Sequence, residues 1–145
     1  MGGETLFFDY KCNFDRPESE EIVLCSDWCP REFKKPLLVV GSSDGTLNLF
    51  HDEGERLENA IKRQHPPTCC AWGPAPHYLL ATGWDDGAVS LWNVATDEKS
   101  KLIKEDKAVH SKSICLVTWS PNGDRLVSSD LDGVVGVWKP DDKGR

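Results

Sequence analysis

The chain has 145 residues, which is enough for one ordinary domain and too few for two comfortable ones. Its formal net charge of −7 and isoelectric point near 5.0 would repel phosphate backbones and anionic lipids, so nucleic acid is not an expected partner. Its apolar runs all fall well short of the roughly 18 residues of a spanning helix, so direct membrane insertion is not expected either.

The N-terminal region predicts one strand followed by a loop. The strand is TLFFDY, from Thr5 to Tyr10, and the loop is the acidic, aperiodic stretch NFDRPESEE at 13–21. The start lacks a cationic segment followed by an apolar core, so it does not resemble a secretory signal. Gly2 suggests N-myristoylation, but Leu6 stands where that motif requires Ser or Thr.

Three similar units then follow one another along the chain. Each opens with a W-x-P turn, and Trp72 follows Trp28 by 44 residues while Trp119 follows Trp72 by 47. A short apolar run comes next in each unit, and it is followed by an Asp-Gly pair and a strand of period two. The pairs are Asp44-Gly45, Asp86-Gly87 and Asp132-Gly133, and the closing aromatic residues are Phe50, Trp92 and Trp138.

The Asp-Gly pairs predict a tight β-hairpin in each unit. Gly adopts positive φ without steric cost and Asp hydrogen bonds to its own turn, so this dipeptide between two β-rich runs is a strong hairpin signal. A sheet of three or four strands cannot bury both faces alone, and a period near 40–45 residues therefore indicates units that stack on one another. The predicted fold is all-β, a partial β-propeller of about three blades that does not close within this chain.

The third unit resembles a WD repeat. Residues 110–138, HSKSICLVTWSPNGDRLVSSDLDGVVGVW, carry an early His, a W-S-P turn, a Ser-rich strand, an Asp-Gly hairpin and a closing Trp. In the WD-repeat family a His, a Ser or Thr, an Asp and a Trp form a hydrogen-bonded tetrad inside the blade. The resemblance implies that this tetrad comprises His110, Ser128, Asp132 and Trp138.

The other two units match the WD pattern less completely. Blade two supplies Thr82, Asp86 and Trp92, with His65 as a looser candidate because Pro66-Pro67 follows it. Blade one has no His before Trp28, and Val40 and Phe50 stand where the family has a hydroxyl and a Trp. It is expected to be held together by apolar packing. The units are predicted at about 22–54, 65–97 and 110–145, with 4–12 as a possible outer strand that completes a final blade.

Chemical activity is not predicted. Ser, His and Asp in one unit suggest a hydrolase, but the Ser and Thr residues fall inside apolar strands without a G-x-S-x-G turn. Metal, phosphate and dinucleotide motifs are absent from the sequence, so neither a cofactor nor a small-molecule substrate is expected. The six cysteines lack metal-type spacing and are interpreted as small, reduced, buried thiols.

A closer resemblance covers nearly the whole chain. Its features are LFFDYK near the start, the W-C-P turn at Trp28, GTLNLFHDEGE at 45–55, GWDDG at 83–87 and the final VVGVWK. Together they are similar to the N-terminal propeller of the one-hundred-forty-kilodalton subunit class of intraflagellar transport complex A. The resemblance implies a large scaffold in retrograde intraciliary transport and cilium assembly. It also implies protein subunits and cargo adaptors as partners, at the cilium, the ciliary base and in the cytoplasm.

The sequence leaves alternatives open for the function of the chain and for the roles of two of its segments. The chain could be a WD-repeat adaptor of another assembly, such as a vesicle coat or a ubiquitin-ligase substrate receptor. Trp84 and Asp85, just before the second hairpin Asp, could form a partner-binding rim, or Trp84 could pack against a neighbouring blade. The mixed-charge stretch at 99–107 is interpreted as a solvated loop, with a docking strip as the alternative.

Overall fold

The computed structural model describes residue 6, residues 21–30 and residues 35–140. These residues form three separate antiparallel sheets, and the described part of the chain contains no helix. The predicted all-β, unclosed set of propeller blades is confirmed. The strand predicted at Thr5 to Tyr10, the loop at 13–21 and the end of the third unit lie outside the described residues, except for Leu6 and Glu21.

Each sheet is one blade, with its strands in chain order. Blade one contains β1 (Val23–Trp28), β2 (Leu37–Ser42), β3 (Thr46–His51) and β4 (Ile61–Lys62). Blade two contains β5 (Pro67–Trp72), β6 (Leu80–Trp84), β7 (Val89–Asn93) and β8 (Lys101–Asp106). Blade three contains β9 (Ile114–Trp119), β10 (Leu126–Asp130) and β11 (Val135–Trp138). The interpretation of 99–107 as a loop is wrong, since this stretch contains strand β8. Its Lys residues suit the exposed edge of a blade.

The second and third strands of every blade are joined by the predicted Asp-Gly turn. Gly87 has a φ of 85°, and a Cβ there would lie 2.7 Å from the His110 carbonyl oxygen, so both backbone conformation and space require glycine. The turn fixes the register, which pairs Leu38 with Phe50, Leu80 with Trp92 and Leu126 with Trp138. Equivalent residues of the three units thus occupy equivalent places in the blades.

The apolar core lies between the blades. Leu37, Val39, Leu47 and Leu49 of blade one pack with Trp72, Leu80, Trp84 and Trp92 of blade two in one cluster. A second cluster joins Ala81 and Val89 of blade two to Ile114, Val117 and Leu126 of blade three. Among the described residues the outer face of blade three has no such cover, since Val135 and Val137 are 60% and 66% exposed whereas Val89 of blade two is 5% exposed.

Candidate functional site

Blade three contains a buried chain of hydrogen bonds that links strands β10 and β11 to the loop before β9. The His110 Nε2 atom lies 2.7 Å from the Ser128 hydroxyl, and the Trp138 indole N–H donates to the same hydroxyl oxygen at 2.8 Å. The His110 Nδ1 atom lies 2.8 Å from an Asp130 carboxylate oxygen. The structure therefore brings together three of the predicted tetrad residues, His110, Ser128 and Trp138.

The carboxylate of this tetrad comes from Asp130 and not from the predicted Asp132. Asp130 is 4% exposed, whereas Asp132 lies exposed in the hairpin turn. The second oxygen of Asp130 accepts the backbone N–H groups of Asp132 and Val134, at 2.9 and 3.0 Å. One carboxylate thus both caps the turn and holds the imidazole. Asp130 can do both because it lies at the end of β10, whereas Asp132 lies in the turn itself.

The ionisation of Asp130 follows from these contacts. Burial would raise the pKa of Asp130, but hydrogen bonds from His110 and from the Val134 and Asp132 amides outweigh it and hold the pKa below its ordinary value. With its proton on Nδ1, the His110 ring donates to Asp130 and accepts from the Ser128 hydroxyl, which itself accepts from Trp138. Every polar atom of the tetrad then has a partner.

The order Asp–His–Ser is also that of a hydrolase triad, but its placement differs. Ser128 is 0% exposed and lies within strand β10, and its oxygen already accepts the indole N–H. A nucleophile must reach a carbonyl carbon of a substrate, and this oxygen has neither space nor a free approach. The tetrad therefore supports the packing of the blade.

Blade two uses a different set of residues at the same place. The Trp92 indole N–H donates to the Thr82 hydroxyl at 3.0 Å, which matches Trp138 and Ser128. Trp84, which corresponds to Asp130, is 0% exposed, and the Arg63 guanidinium lies 4.5 Å above its ring. Arg63 precedes Trp72 by nine residues, as His110 precedes Trp119. An Arg–Trp cation–π pair thus replaces the His–Asp pair.

The predicted rim role of Trp84 is wrong because its side chain is fully buried. Its indole N–H donates to the Ser90 hydroxyl at 3.0 Å, and Ser90 donates to Glu105 at 3.2 Å. Glu105 lies 2.9 Å from Arg63, which closes a ring of contacts around the indole. An aromatic residue before an Asp-Asp-Gly turn looks like a surface anchor in sequence, but β6 continues through Trp84 and turns it inward.

Asp86 has its own position at the hairpin turn of blade two. It accepts the Ala88 N–H at 3.1 Å, and it lies 3.4 Å from Arg63. Burial would raise the pKa of Asp86, but the Ala88 amide and the Arg63 charge lower it below its ordinary value. The hydrogen bonds of Asp86 therefore stabilise the turn and Arg63, whereas the buried acceptor for Trp92 is Thr82.

The surface of the blade-two turn carries Asp85 and His65. Their side chains are 41% and 49% exposed, and the His65 Nδ1 atom lies 3.1 Å from an Asp85 oxygen. His65 is therefore part of this surface pair, and Arg63 takes the buried position for which His65 was the looser candidate. Lys107 lies 3.7 Å from Asp86 and is 57% exposed. Asp85, His65 and Lys107 form what we call the rim cluster.

Blade one lacks a His–Ser pair in the described residues, as its sequence indicates. Val40 and Phe50 are buried, at 6% and 8% exposure. Apolar packing is not its whole support, because the Asp44 carboxylate accepts the Ser42 hydroxyl at 2.5 Å and the Thr46 N–H at 3.0 Å. The Asp-Gly turn is thus capped in blade one by its own Asp, as in blade two.

Two tryptophans of the W-x-P turns join neighbouring blades, a role that the sequence analysis missed. The Trp72 indole N–H donates to the Asp27 carbonyl at 3.2 Å, and the Trp119 indole N–H donates to the Ala71 carbonyl at 3.1 Å. Asp27 and Ala71 each stand one residue before the Trp of their own unit. The fixed spacing of the tryptophans is the signal that could have revealed this seam.

The interpretation of the cysteines as buried thiols agrees only in part with the structure. All five described cysteines are free thiols, but only Cys29 is buried, while Cys25, Cys69 and Cys70 are half-buried and Cys115 is exposed. Within the described residues, no group of three or more His, Cys, Asp or Glu side chains could hold a metal ion. The same residues include no helix long and apolar enough to cross a membrane.

The family model described as IFT140 first beta-propeller matches residues 5–145. The chain belongs to this family. The match covers the three blades, the rim cluster, the tetrad of blade three and the corresponding residues of blade two. The predicted resemblance is thereby confirmed.

Other WD-repeat proteins are more distantly similar to this chain. Jouberin of Rattus norvegicus is 27% identical over 103 residues, which is 70% of this chain and 10% of that protein. The WD repeat and HMG-box DNA-binding protein 1 of Xenopus laevis is 33% identical over 115 residues, 76% of this chain and 9% of that protein. The chain thus spans about a tenth of the length of these relatives.

Solved propellers share the fold. A chain of the Chaetomium thermophilum polycomb repressive complex 2 has a TM-score of 0.73 at 23% identity, over 87% of this chain and 27% of that chain. A chain of the mitotic checkpoint complex has a TM-score of 0.71 at 21% identity, over 83% of this chain and 36% of that chain. At these identities the likeness shows the architecture alone.

Proposed function

We propose that this chain is a non-enzymatic interaction scaffold and acts as a subunit of intraflagellar transport complex A, in retrograde intraciliary transport and cilium assembly. The observation that carries the proposal is the match to the IFT140 first beta-propeller over residues 5–145. The buried position of Ser128 supports the non-enzymatic role, since the one Ser–His–Asp set among the described residues is used for packing.

The proposed partners are protein subunits of the transport complex and cargo adaptors. The net charge of −7 disfavours nucleic acid and anionic lipid, and membrane insertion and small-molecule substrates are not part of the proposal. We place the protein at the cilium and ciliary base, on the cytoplasmic side, and in the cytoplasm. Stiff blades whose loops project at their ends suit this work, because partners then meet a rigid surface.

The rim cluster is the proposed contact surface. Asp85 stands on the hairpin turn of blade two, and its carboxylate is 41% exposed although it faces His65. The underlying turn is held in place by Trp84, Arg63 and Asp86, so Asp85 presents its charge from a rigid base. Partial exposure on a rigid frame is what a partner with a complementary cationic side chain requires.

A proximity-labelling experiment tests the functional class. The chain is fused to a biotin ligase and expressed in ciliated cells, and a fusion carrying the His110→Ala substitution serves as the control for folding. We expect complex A subunits to be enriched over coat and ubiquitin-ligase subunits with the wild-type chain, and the enrichment to fall with the variant. Selective labelling of a vesicle coat or a ubiquitin ligase would instead favour the second candidate, an adaptor of another assembly.

A further inference from the structure

The junction between blades one and two has a cysteine on each side. Cys25 stands three residues before Trp28, and Cys70 stands two residues before Trp72. At the next junction the corresponding residues are Cys69 and Val117, and both belong to the apolar cluster between blades two and three. The repeat therefore places these two positions together at each junction, and the first junction has a cysteine at both.

The contacts around Cys25 and Cys70 agree with this placement. A Cβ at Gly41 would lie 2.6 Å from the Cys25 sulfur and 2.8 Å from the Pro67 ring, so the sulfur lies where β5 of blade two approaches blade one. Cys70 packs against the apolar cluster shared by these two blades. Both thiols are free and half-buried, so a small oxidant can reach them.

The two thiols also influence each other chemically. A hydrogen bond from Cys70 lowers the pKa of Cys25, and the same hydrogen bond raises the pKa of Cys70. Cys25 is thus the more easily ionised of the two, and thiolates are the form that attacks oxidants. Burial raises the pKa of Cys69 to about 11, so this neighbour is a poor competitor at neutral pH.

We propose that Cys25 and Cys70 form an oxidative modification site, at which a peroxide converts the two thiols into a disulfide that joins blade one to blade two. The Cys25 thiolate attacks one peroxide oxygen, the O–O bond breaks, and the products are a sulfenic acid and, after proton uptake, water. The Cys70 sulfur then attacks the Cys25 sulfur, the S–O bond breaks, and the Cys70 proton leaves with the hydroxide as a second water. One peroxide is reduced for each pair of thiols oxidised.

Mass spectrometry of the 145-residue chain after treatment with one equivalent of hydrogen peroxide tests this site. The Cys12→Ser/Cys115→Ser background removes two other thiols, of which Cys115 is exposed. We expect the loss of two hydrogen atoms and a cross-link between the tryptic peptides that contain Cys25 and Cys70. Those peptides also contain Cys29 and Cys69, so Cys29→Ser and Cys69→Ser serve as matched controls that retain the cross-link.

The cross-link should disappear in Cys25→Ser and in Cys70→Ser. In the background chain it should raise the thermal midpoint by at least about 5 °C, because it closes a long loop, and dithiothreitol should reverse the rise. A cross-link that survives Cys25→Ser would overturn the proposal. So would addition of oxygen atoms to Cys25 without cross-linking, or thiols that stay reduced.

Discussion

Ser128 is the shared partner of two rings in blade three. Its hydroxyl lies 2.7 Å from His110 and accepts the Trp138 indole at 2.8 Å, and its side chain is inaccessible to water. Ser128→Ala leaves both ring nitrogens without that partner, so we expect the free energy of unfolding to fall by about 1–3 kcal/mol. Asp132→Ala, at the exposed turn, should change it by less than about 0.5 kcal/mol. Urea denaturation measures both, and equal losses would argue against the tetrad containing Asp130.

Two carboxylates predict how stability depends on pH. The pKa values of Asp130 and Asp86 both lie below their ordinary values in the folded chain. A depressed folded pKa contributes stability that is present above the unfolded pKa and is lost as the pH falls. The thermal midpoint should therefore decline below about pH 4, and Asp130→Asn should flatten that decline. A decline of the same size in Asp130→Asn would show that other groups cause it.

Substitution of Trp84 tests whether this residue is a buried packing residue or a surface contact, which the sequence alone does not decide. Its side chain is fully buried beneath Arg63, so Trp84→Ala should lower the free energy of unfolding by about 3–5 kcal/mol. Trp84→Phe keeps a ring for Arg63 but loses the hydrogen bond to Ser90 and part of the buried ring volume, so its cost should be smaller than that of Trp84→Ala. An unchanged melting temperature in Trp84→Ala, together with weaker partner binding, would restore the surface role.

Residue identity in the tetrads was predictable where spacing and residue type agree. His110, Ser128 and Trp138 follow from the WD pattern. Asp130 was missed because two acidic residues flank Leu131 and the pattern favours the one before Gly133. Arg63 was missed because its type is unusual although its spacing from Trp72 matches that of His110. Side-chain direction at a strand end depends on where the strand stops, and sequence fixes that boundary poorly.

At the scale of elements, the strands of all three blades share one irregularity. The first strand pairs with the second across a β-bulge that skips Leu24 in blade one, Thr68 in blade two and Cys115 in blade three. Such bulges increase local twist, which suits blades that must stack in a ring. The Asp-Gly hairpins were predictable because their turn chemistry is local. The bulges were not, because their cause is the packing of one blade against the next.

Gly83 tests how closely the blades pack. A Cβ at this position would lie 2.6 Å from the Cys69 sulfur and 2.7 Å from the Ile114 Cβ atom, which belongs to blade three. Gly83→Ala should therefore destabilise the chain by about 1–3 kcal/mol through overpacking of this junction. Ile114→Ala in the same chain should recover part of the loss, which denaturation of the two single variants and the double variant measures. Strict additivity would show that the two residues do not share a junction.

At the scale of the whole molecule, the outer face of blade three is the main unpaired surface in the described part of the chain. Leu116, Val135 and Val137 are 49%, 60% and 66% exposed, and β11 has no described strand beyond it. The repeat predicted a stack of blades and hence such a face. The sequence could not say which residues remain exposed, since the same alternation in blade two gives a buried Val89.

This face should make the 145-residue chain associate with itself. An uncovered apolar sheet face beside an open edge promotes aggregation and non-specific pairing. Val137→Lys should shift the chain toward monomer in analytical ultracentrifugation without lowering its melting temperature, because Val137 is exposed. Val89→Lys, at the buried blade-two counterpart of Val135, should unfold it. A wild-type chain that is monomeric at all concentrations would mean that the face is covered in solution.

Blade interiors hold the structure, and we propose that the rim cluster binds protein partners. Equilibrium binding of purified complex A subunits, normalised to the folded fraction of the chain, tests it most directly. Asp85→Lys should weaken binding at least about tenfold without loss of folded chain. Asp97→Lys, an exposed change of the same charge at the opposite end of β7, should bind as the wild type does. Equal binding by both variants, or binding that falls only in step with unfolding, would show that the rim cluster is not a partner-binding surface.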